Sequence, residues 1–563
     1  MSCTTTMQKL LVIALFAVSP LGFVAQAQTF NSLLSFDGAN GADPFYVYLV
    51  QGVDGNLYGT TYTDAANGYG SVFKITPGGK LTTIYSFCAQ PGCTDGANPE
   101  AGVVLAGNGK FYGTTSSGGY NLGGTIFEIT PGGTLTTLYT FCDVSGCANG
   151  ANPEAGLLLA SNGILYGTAS EGGVGGGTIF EITPAGKFTL LHTFNGDGAN
   201  PVGGTLVQGA NGNLYGTTSY GGTNNAGTIF EITPGGKFKS LYSFCAQSGC
   251  PDGSAPDAGL VLASDGNFYG TTNLGGSSGV GTVFRMTPAG QLTTLYTFVC
   301  QNGEGDCPDG QAPNGLIQAS DGNMYGTTSL DGGPTGNAGG TIFQITTAGV
   351  LTTLYTFCLN PNTNCLDGLE PLGGLLQDTS GTLYGTTLQG GTTGLDGTVF
   401  SLADGLPAFV ETLPTSGKVG AKVTILGTNL TGTTAVSFNG TPATFTAKSA
   451  EITTTVPSGA TTGTVTVTTP GGTLSTNAAF EVTPQILSFA PPSGPVGTVV
   501  TINGVSLTQA SKVTFGGVSA TSFTVNSDTQ VSATVPTGAV TGPIVITTPG
   551  GTARSATNFT VTQ

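Results

Sequence analysis

The stretch KFYGTT at residues 110–115 decides the fold, because its core, Tyr-Gly-Thr, recurs seven times along the chain. A repeat every 49 to 59 residues is typical of architectures in which each unit is one small sheet. The seven units span about residues 29–405 of the 563-residue chain. The tripeptide starts at Tyr58, Tyr112, Tyr166, Tyr215, Tyr269, Tyr325 and Tyr384.

Each unit contains four segments rich in β-branched and aromatic residues, the residues that strands prefer. One unit shows LTTIYSF at 81–87, AGVVLA at 101–106, KFYGTT at 110–115 and TIFEIT at 125–130. In six units Asn-Gly or Asp-Gly joins the second and third segments, and these dipeptides accept the positive φ of a two-residue hairpin. Each unit is therefore predicted to be a four-stranded antiparallel meander.

Seven such sheets bury both faces when they surround an axis, so the repeats favour a seven-bladed β-propeller over a linear β-array. TFNSLLSF at 29–36 matches the first segment of later units, and the last unit stops after TVFSL at 398–402. We expect the N-terminal strand to complete the last blade, because this arrangement joins the chain ends and leaves no open sheet edge.

The pattern changes after Gly405, where two similar segments of about 80 residues follow. Short alternating strands with turn signals between them predict two β-sandwiches. Their openings correspond closely, as PTSGKVGAKVTILG at 414–427 and PPSGPVGTVVTING at 491–504 show. The predicted division is a signal peptide at 1–27, a seven-repeat propeller at 28–405, and sandwiches at 406–483 and 484–563.

Both C-terminal segments resemble the immunoglobulin-like IPT/TIG domain in these openings and in their closing FEVT and FTVT. The seven units, through LYGTT and GGTIFEITPGG, resemble the GloVer (Gloeo/Verruco) tandem repeat of exported bacterial proteins. The predicted fold is thus all-β, a seven-bladed propeller followed by two IPT/TIG sandwiches. The resemblance implies a bacterial surface or secreted protein, without defining a biochemical role.

An export signal precedes the repeats. Lys9 is followed by an apolar run, LLVIALFAV at 10–18, and by Ala25-Gln26-Ala27, which predicts cleavage near Ala27. This run is too short to span a membrane, and no later stretch predicts a transmembrane segment. We therefore expect a secreted or cell-surface protein.

Ten cysteines of the predicted mature chain form five close pairs at equivalent places in their repeats. In an exported chain this pattern predicts five local disulfides. Metal binding is the alternative, although no histidine is near and the spacings differ between pairs. The pairs are Cys88 with Cys93, Cys142 with Cys147, Cys245 with Cys250, Cys300 with Cys307, and Cys358 with Cys365.

The formal net charge of −17 argues against nucleic acid as a partner, because an acidic surface repels phosphates. The only histidine, His192, occupies an aromatic strand position and is expected to be structural. No nucleophile elbow and no His/Cys metal cluster appears, so catalysis is uncertain and no catalytic residue is assigned.

Carboxylates recur on the face that should carry the long loops. They could hold Ca²⁺ or a ligand, or the Asp-Gly-x-x-Pro motifs could simply be turns; no other cofactor is expected. These candidates are Asp95, Glu100, Glu154, Asp197, Asp252, Asp257, Asp309 and Asp367.

These observations predict a non-catalytic extracellular binding or surface-structure protein that recognises a protein or polysaccharide through the propeller loops. The alternative is a polysaccharide hydrolase or lyase that uses carboxylates near the axis.

Overall fold

The computed structural model describes residues 28–300, 307–332, 339–359, 365–392 and 396–563. The predicted signal peptide and its cleavage site lie outside these residues. Almost all regular structure in the described chain is β-strand, with three single-turn 3₁₀ helices at Ala65–Asn67, Pro91–Cys93 and Ser145–Cys147. No helix in the described part is long and apolar enough to cross a membrane.

Seven four-stranded antiparallel sheets form the blades, each running from an innermost to an outermost strand. The chain begins with β1 (Thr29–Ser35). Blades one to three contain β2 (Val50–Gln51), β3 (Leu57–Thr61), β4 (Ser71–Ile75), β5 (Leu81–Ser86), β6 (Val104–Leu105), β7 (Phe111–Thr115), β8 (Thr125–Ile129), β9 (Leu135–Thr140), β10 (Leu158–Leu159), β11 (Leu165–Ala169), β12 (Thr178–Ile182) and β13 (Phe188–Thr193).

Blades four to seven repeat this pattern, and the last has three strands of its own. They contain β14 (Val207–Gln208), β15 (Leu214–Thr218), β16 (Thr228–Ile232), β17 (Phe238–Ser243), β18 (Val261–Leu262), β19 (Phe268–Thr272), β20 (Thr282–Met286), β21 (Leu292–Thr297), β22 (Gln311–Gln318), β23 (Met324–Leu330), β24 (Thr341–Ile345), β25 (Leu351–Thr356), β26 (Leu376–Gln377), β27 (Leu383–Thr387) and β28 (Thr398–Ala403).

The ring closes as the sequence predicts. β1 pairs antiparallel with β28, from Thr29 opposite Ala403 to Ser35 opposite Thr398. The Phe30 ring stacks on Tyr355 of the neighbouring blade with their centroids 3.8 Å apart. The predicted seven-bladed propeller is therefore confirmed, with its first and last strands in one sheet.

The Tyr-Gly-Thr motif connects strands within a blade and blades with one another. A Cβ atom on Gly113 would lie 2.6 Å from the ring of Phe127 on the adjacent strand, so the close packing of the two strands requires glycine here. The Thr60 hydroxyl donates a 2.8 Å hydrogen bond to the Ala101 carbonyl of the next blade. Equivalent hydrogen bonds to the next blade are donated by the hydroxyls of Thr114, Thr168, Thr217, Thr271 and Thr327.

Two β-sandwiches follow, each with a separate core. Alternate residues of their strands point inward, as in β41, where Val500 and Ile502 are fully buried. The first contains β29 (Glu411–Leu413), β30 (Ser416–Gly417), β31 (Lys422–Leu426), β32 (Ala435–Phe438), β33 (Thr441–Pro442), β34 (Phe445–Ala447), β35 (Glu451–Thr455), β36 (Val465–Thr469), β37 (Gly472–Ser475) and β38 (Glu481–Val482). The second contains β39 (Gln485–Ala490), β40 (Ser493–Gly494), β41 (Val499–Val505), β42 (Lys512–Phe515), β43 (Val518–Ser519), β44 (Phe523–Ser527), β45 (Gln530–Thr534), β46 (Gly542–Thr548) and β47 (Gly551–Val561).

The first sandwich covers the propeller face that carries the tight hairpins, which we call the hairpin face. Leu426 is buried in the apolar cluster that includes Tyr58 and Leu105 of the first two blades. The Phe409 N–H donates to the Thr379 carbonyl at 3.1 Å. These contacts leave the opposite face, which carries the longer loops, as the uncovered end of the propeller in the described chain.

Candidate functional site

Two kinds of loop form the uncovered face, which we call the loop face: the disulfide loops between blades, and the glycine-rich loops between second and third strands. All five predicted cysteine pairs are joined by disulfides, so the disulfide interpretation is confirmed and the metal-binding alternative is not needed for these thiols. The bonds join Cys88 with Cys93, Cys142 with Cys147, Cys245 with Cys250, Cys300 with Cys307, and Cys358 with Cys365.

The disulfide loops support the glycine-rich loops. The Cys93 carbonyl accepts a 2.8 Å hydrogen bond from the Gly119 N–H of the next blade's glycine-rich loop. Cys147 accepts one from Gly173 at 3.0 Å. The carbonyls of Cys250, Cys307 and Cys365 accept the equivalent bonds from Gly276, Gly332 and Gly391 at 2.8, 3.1 and 2.9 Å. Each disulfide therefore constrains its own loop, and the carbonyl of that loop holds the glycine-rich loop of the next blade by a hydrogen bond.

The aspartates of the repeated acidic turns accept hydrogen bonds from the outermost strands of their blades. The Tyr85 hydroxyl donates to Asp95 Oδ2 at 2.7 Å, and the Ala89 N–H donates to the same oxygen at 2.9 Å. These bonds hold the disulfide loop against its own blade, so they favour the turn interpretation of these carboxylates over a cation site. The same tyrosine contact recurs at Asp252, Asp309 and Asp367.

His192 occupies the position of this tyrosine in the third blade. Its ring stacks on Phe238 with centroids 4.0 Å apart, and its Nε2 lies 3.1 Å from Asp197 Oδ2. Burial lowers the pKa of His192, although the charge of Asp197 opposes the shift. His192 and Asp197 thus form the local equivalent of the Tyr–Asp contact.

The other three candidates meet at the axis. Glu100, Glu154 and Asp257 each follow the proline that precedes an innermost strand, and they surround Tyr46 of the first blade. Burial, followed by the charges of Asp257, Glu100 and Glu154, raises the pKa of Tyr46 to about 12. The Tyr46 N–H also donates to the Glu100 carbonyl at 3.0 Å, which ties the first two blades together at this point. We call these four residues the axial mouth.

Glu100 is the most perturbed carboxyl of the axial mouth. Burial and the neighbouring charge of Glu154 raise its pKa to about 7, against an opposing hydrogen bond from Ser116. Burial also raises the pKa values of Glu154 and Asp257, opposed by the hydroxyls of Ser170 and Ser219. The mouth can therefore hold both protonated and ionised carboxyls near neutral pH, as hydrogen-bond donors and acceptors.

Tyr48 blocks the propeller axis beneath the mouth. Its ring is so close to Gly315 and Gly374 that a Cβ atom on either residue would overlap it. Below lies an apolar cavity of about 310 Å³ lined by innermost-strand residues such as Val104 and by neighbours such as Leu157. The axial mouth is therefore a shallow site on the loop face and does not open into a through-channel.

The described residues contain no group of three or more His, Cys, Asp or Glu side chains arranged to hold a metal ion. A second concentration of carboxylates lies where the first and last blades meet. There the charges of Asp64, Asp43 and Asp37 add to burial in raising the pKa of Asp396.

The loop face also carries exposed aromatic side chains that were not among the residues predicted from the sequence. Tyr69, Tyr120 and Tyr220 are 43%, 81% and 52% exposed, and all three lie in glycine-rich loops. Tyr120 borders a cleft of about 550 Å³ that also contains Gln90 and Thr94. Because these tyrosines lie outside the repeated strand positions, their place in the glycine-rich loops was the signal that could have found them.

The fold defines an all-β repeat protein with a propeller and two immunoglobulin-like domains. The family model described as the Gloeobacter/Verrucomicrobia repeat matches residues 15–208 and 174–400, and the IPT/TIG domain model matches residues 407–482 and 484–561. The repeat model covers more than half of the sequence, and the chain belongs to the Gloeobacter/Verrucomicrobia repeat family. No curated protein matches the sequence.

Solved structures resemble the chain only distantly. A putative gluconolactonase has 11% identity and a TM-score of 0.33, covering 68% of this chain and 94% of that one. A fungal alcohol oxidase of the AA5 family in complex with copper has 12% identity and a TM-score of 0.38, covering 93% and 98%. The surface glycan-binding protein PbSGBP-B from Prevotella bryantii has 20% identity and a TM-score of 0.21, covering 26% and 38%. These values are too low to indicate a ligand or an activity.

Proposed function

We propose that the protein is an extracellular binding protein that recognises a neutral polysaccharide on the loop face of its propeller. The observation that carries the proposal is the exposure of Tyr69, Tyr120 and Tyr220 on the face that the sandwiches leave uncovered. Extracellular location is supported by five disulfides and by the leader pattern, since such bonds persist in oxidising compartments. The division at residues 27, 405 and 483 stays a prediction.

The chemistry of this face favours sugars. A tyrosine ring is an apolar surface with a polar edge, which suits the mixed surface of a pyranose ring. The carboxyls of the axial mouth can accept and donate hydrogen bonds to hydroxyl groups. The net charge of −17 disfavours polyanionic polymers, which leaves neutral glycans as the better match.

The test is affinity electrophoresis of the full chain in gels that contain xyloglucan, glucomannan or dextran. We expect retardation in at least one gel. The double variant Tyr120→Ala and Tyr220→Ala should bind at least about tenfold more weakly, because aromatic side chains that anchor a ligand contribute much of its binding free energy. The matched control is Val350→Ala, which truncates a 63% exposed side chain in a turn on the hairpin face. Binding that is lost equally in the control variant, or unchanged in the tyrosine variant, contradicts the proposal.

One observation favours polysaccharide cleavage as a second candidate. Glu100, with its pKa raised to about 7, lies within electrostatic reach of Glu154, and glycosidases pair a protonated acid with an ionised carboxylate. If the protein cleaves a glycan that it binds, reducing ends should accumulate and Glu100→Gln should abolish their release. Retained binding without release of reducing ends would exclude this candidate.

A further inference from the structure

Between the hairpin face and the first sandwich lie two cavities separated by β29. The larger, of about 530 Å³, lies under blades one to three and is lined mainly by apolar residues such as Val50, Leu105 and Leu159. The smaller, of about 280 Å³, lies on the other side of β29 under blades six and seven. The larger cavity adjoins the apolar axial cavity, because Val50 and Val104 line both. We call the two cavities together the interdomain chamber.

Glu411 and Thr415 line both halves of this chamber. Glu411 is the one charged residue among the described residues that line it. It lies opposite Leu426 in the sheet, so both side chains face the propeller. The exposed surface of Glu411 therefore faces the chamber, and its carboxylate has no hydrogen-bond or ion-pair partner among the described residues.

The three amide side chains that line the larger cavity are already bonded. Gln51 exchanges two hydrogen bonds with Thr379, donating at 2.9 Å and accepting at 2.9 Å. Asn108 and Asn162 donate to the tyrosines of their own hairpins. Part of the Glu411 side chain stays exposed, and the atoms of both domains around the rest of it raise the pKa of Glu411 by burial.

We propose that the interdomain chamber binds a small organic cation, an ammonium group attached to an apolar body, with Glu411 as its counter-charge. The volume and the mainly apolar lining match a site for a small molecule with one polar anchor. A divalent metal ion fits less well, because Ca²⁺ or Mg²⁺ requires several oxygen ligands and the chamber provides one free carboxylate.

The experiment titrates the full chain with 2-phenylethylamine at about pH 8, where this amine is still charged and Glu411 can ionise. Its neutral counterpart, 2-phenylethanol, has nearly the same shape. Isothermal titration calorimetry should show the amine binding about tenfold more tightly than the alcohol, the size of one charge-assisted interaction. Glu411→Gln should abolish this preference. Glu481→Gln should retain it, because Glu481 is another carboxyl whose pKa burial raises but which does not line the chamber.

A second variant tests the location. Thr415→Trp would fill the chamber from a side chain that is exposed to it, and it should weaken both ligands. The proposal is overturned if the wild-type chain binds neither ligand at millimolar concentration, if it binds the two equally, or if Glu411→Gln keeps the preference for the amine. Loss of glycan binding on the loop face would leave this inference unaffected, because the chamber lies at the opposite end of the propeller.

Discussion

Gly113 has no room for a side chain, since the ring of Phe127 from the third strand of its blade lies directly over it. The same arrangement recurs in every blade, where a Phe ring covers the glycine of Tyr-Gly-Thr. The glycine is therefore a packing requirement, because its strand is regular and any residue could adopt the backbone conformation. Strand propensity alone would disfavour glycine at this position.

Gly113→Ala should lower the free energy of unfolding by about 1–3 kcal/mol, the usual cost of overpacking a tight core. Calorimetric melting of the full chain measures the effect. The control is Gly132→Ala, because the nearest atom to its added Cβ is Thr130 Oγ1 at 3.9 Å. Equal melting temperatures for the two variants would contradict the packing argument.

Glu100 should make stability depend on pH. Its pKa rises from 4.5 to about 7 on folding, so the folded protein binds more protons than the unfolded chain in this interval. The contribution of Glu100 to the free energy of unfolding is therefore fully present below about pH 4.5 and is lost as the pH rises through 7. This contribution is on the order of 2 kcal/mol after allowance for partial exposure.

Melting curves between pH 4 and pH 8 should thus show the wild-type chain losing stability relative to Glu100→Gln as the pH rises. Glu181→Gln, on a third strand away from the axis, is the control and should follow the wild-type curve. A Glu100→Gln variant that loses stability in parallel with the wild type would show that the pKa of Glu100 does not rise on folding.

At the scale of elements, β1 determines whether the propeller is a closed ring. Without β1, the strand β28 would expose unpaired N–H and C=O groups, and Tyr355 would lose its stacked Phe30 ring. A chain that begins at Asp37 should therefore aggregate or melt well below the full chain.

Size-exclusion chromatography and circular dichroism measure this effect. The control chain ends at Val482 and lacks only the second sandwich, whose core is separate. It should keep the melting transition of the propeller. A monomeric Asp37 chain with an unchanged transition would show that closure contributes little.

Repetition explains which elements could be predicted from sequence. Strands and hairpins recur in seven copies, so the shared pattern predicts them, and Tyr-Gly-Thr alone places every blade. Ring closure could be predicted because residues 29–36 match the first segment of the later units. Residues that occur once have no such pattern. Tyr48 lies across the axis at a position where most other blades have glycine, as at Gly102 and Gly315. The exposure of Tyr120 likewise depends on a single glycine-rich loop, and the position of Glu411 depends on a single contact between domains.

At the scale of the whole molecule, the first sandwich and the propeller share an apolar contact that makes the chamber. Leu426 belongs to the cluster of the first two blades and not to the core of its own sandwich. The Ser320 hydroxyl also donates to the Pro407 carbonyl at 3.0 Å. Because these contacts hold the sandwich against the hairpin face, we expect the two domains to unfold together.

Leu426→Asp should separate these domains without unfolding either one, because the new charge would replace a buried contact between them. Calorimetry should then show two transitions in place of the shared one, and limited proteolysis should cut faster near residues 404–410. Leu487→Asp is the control, since this 68% exposed leucine lies in the second sandwich. The Leu426→Asp variant should also lose the preference for 2-phenylethylamine over 2-phenylethanol, because the walls of the chamber that hold a ligand beside Glu411 would then be apart. A single unchanged transition would mean that the contact of Leu426 does not couple the domains.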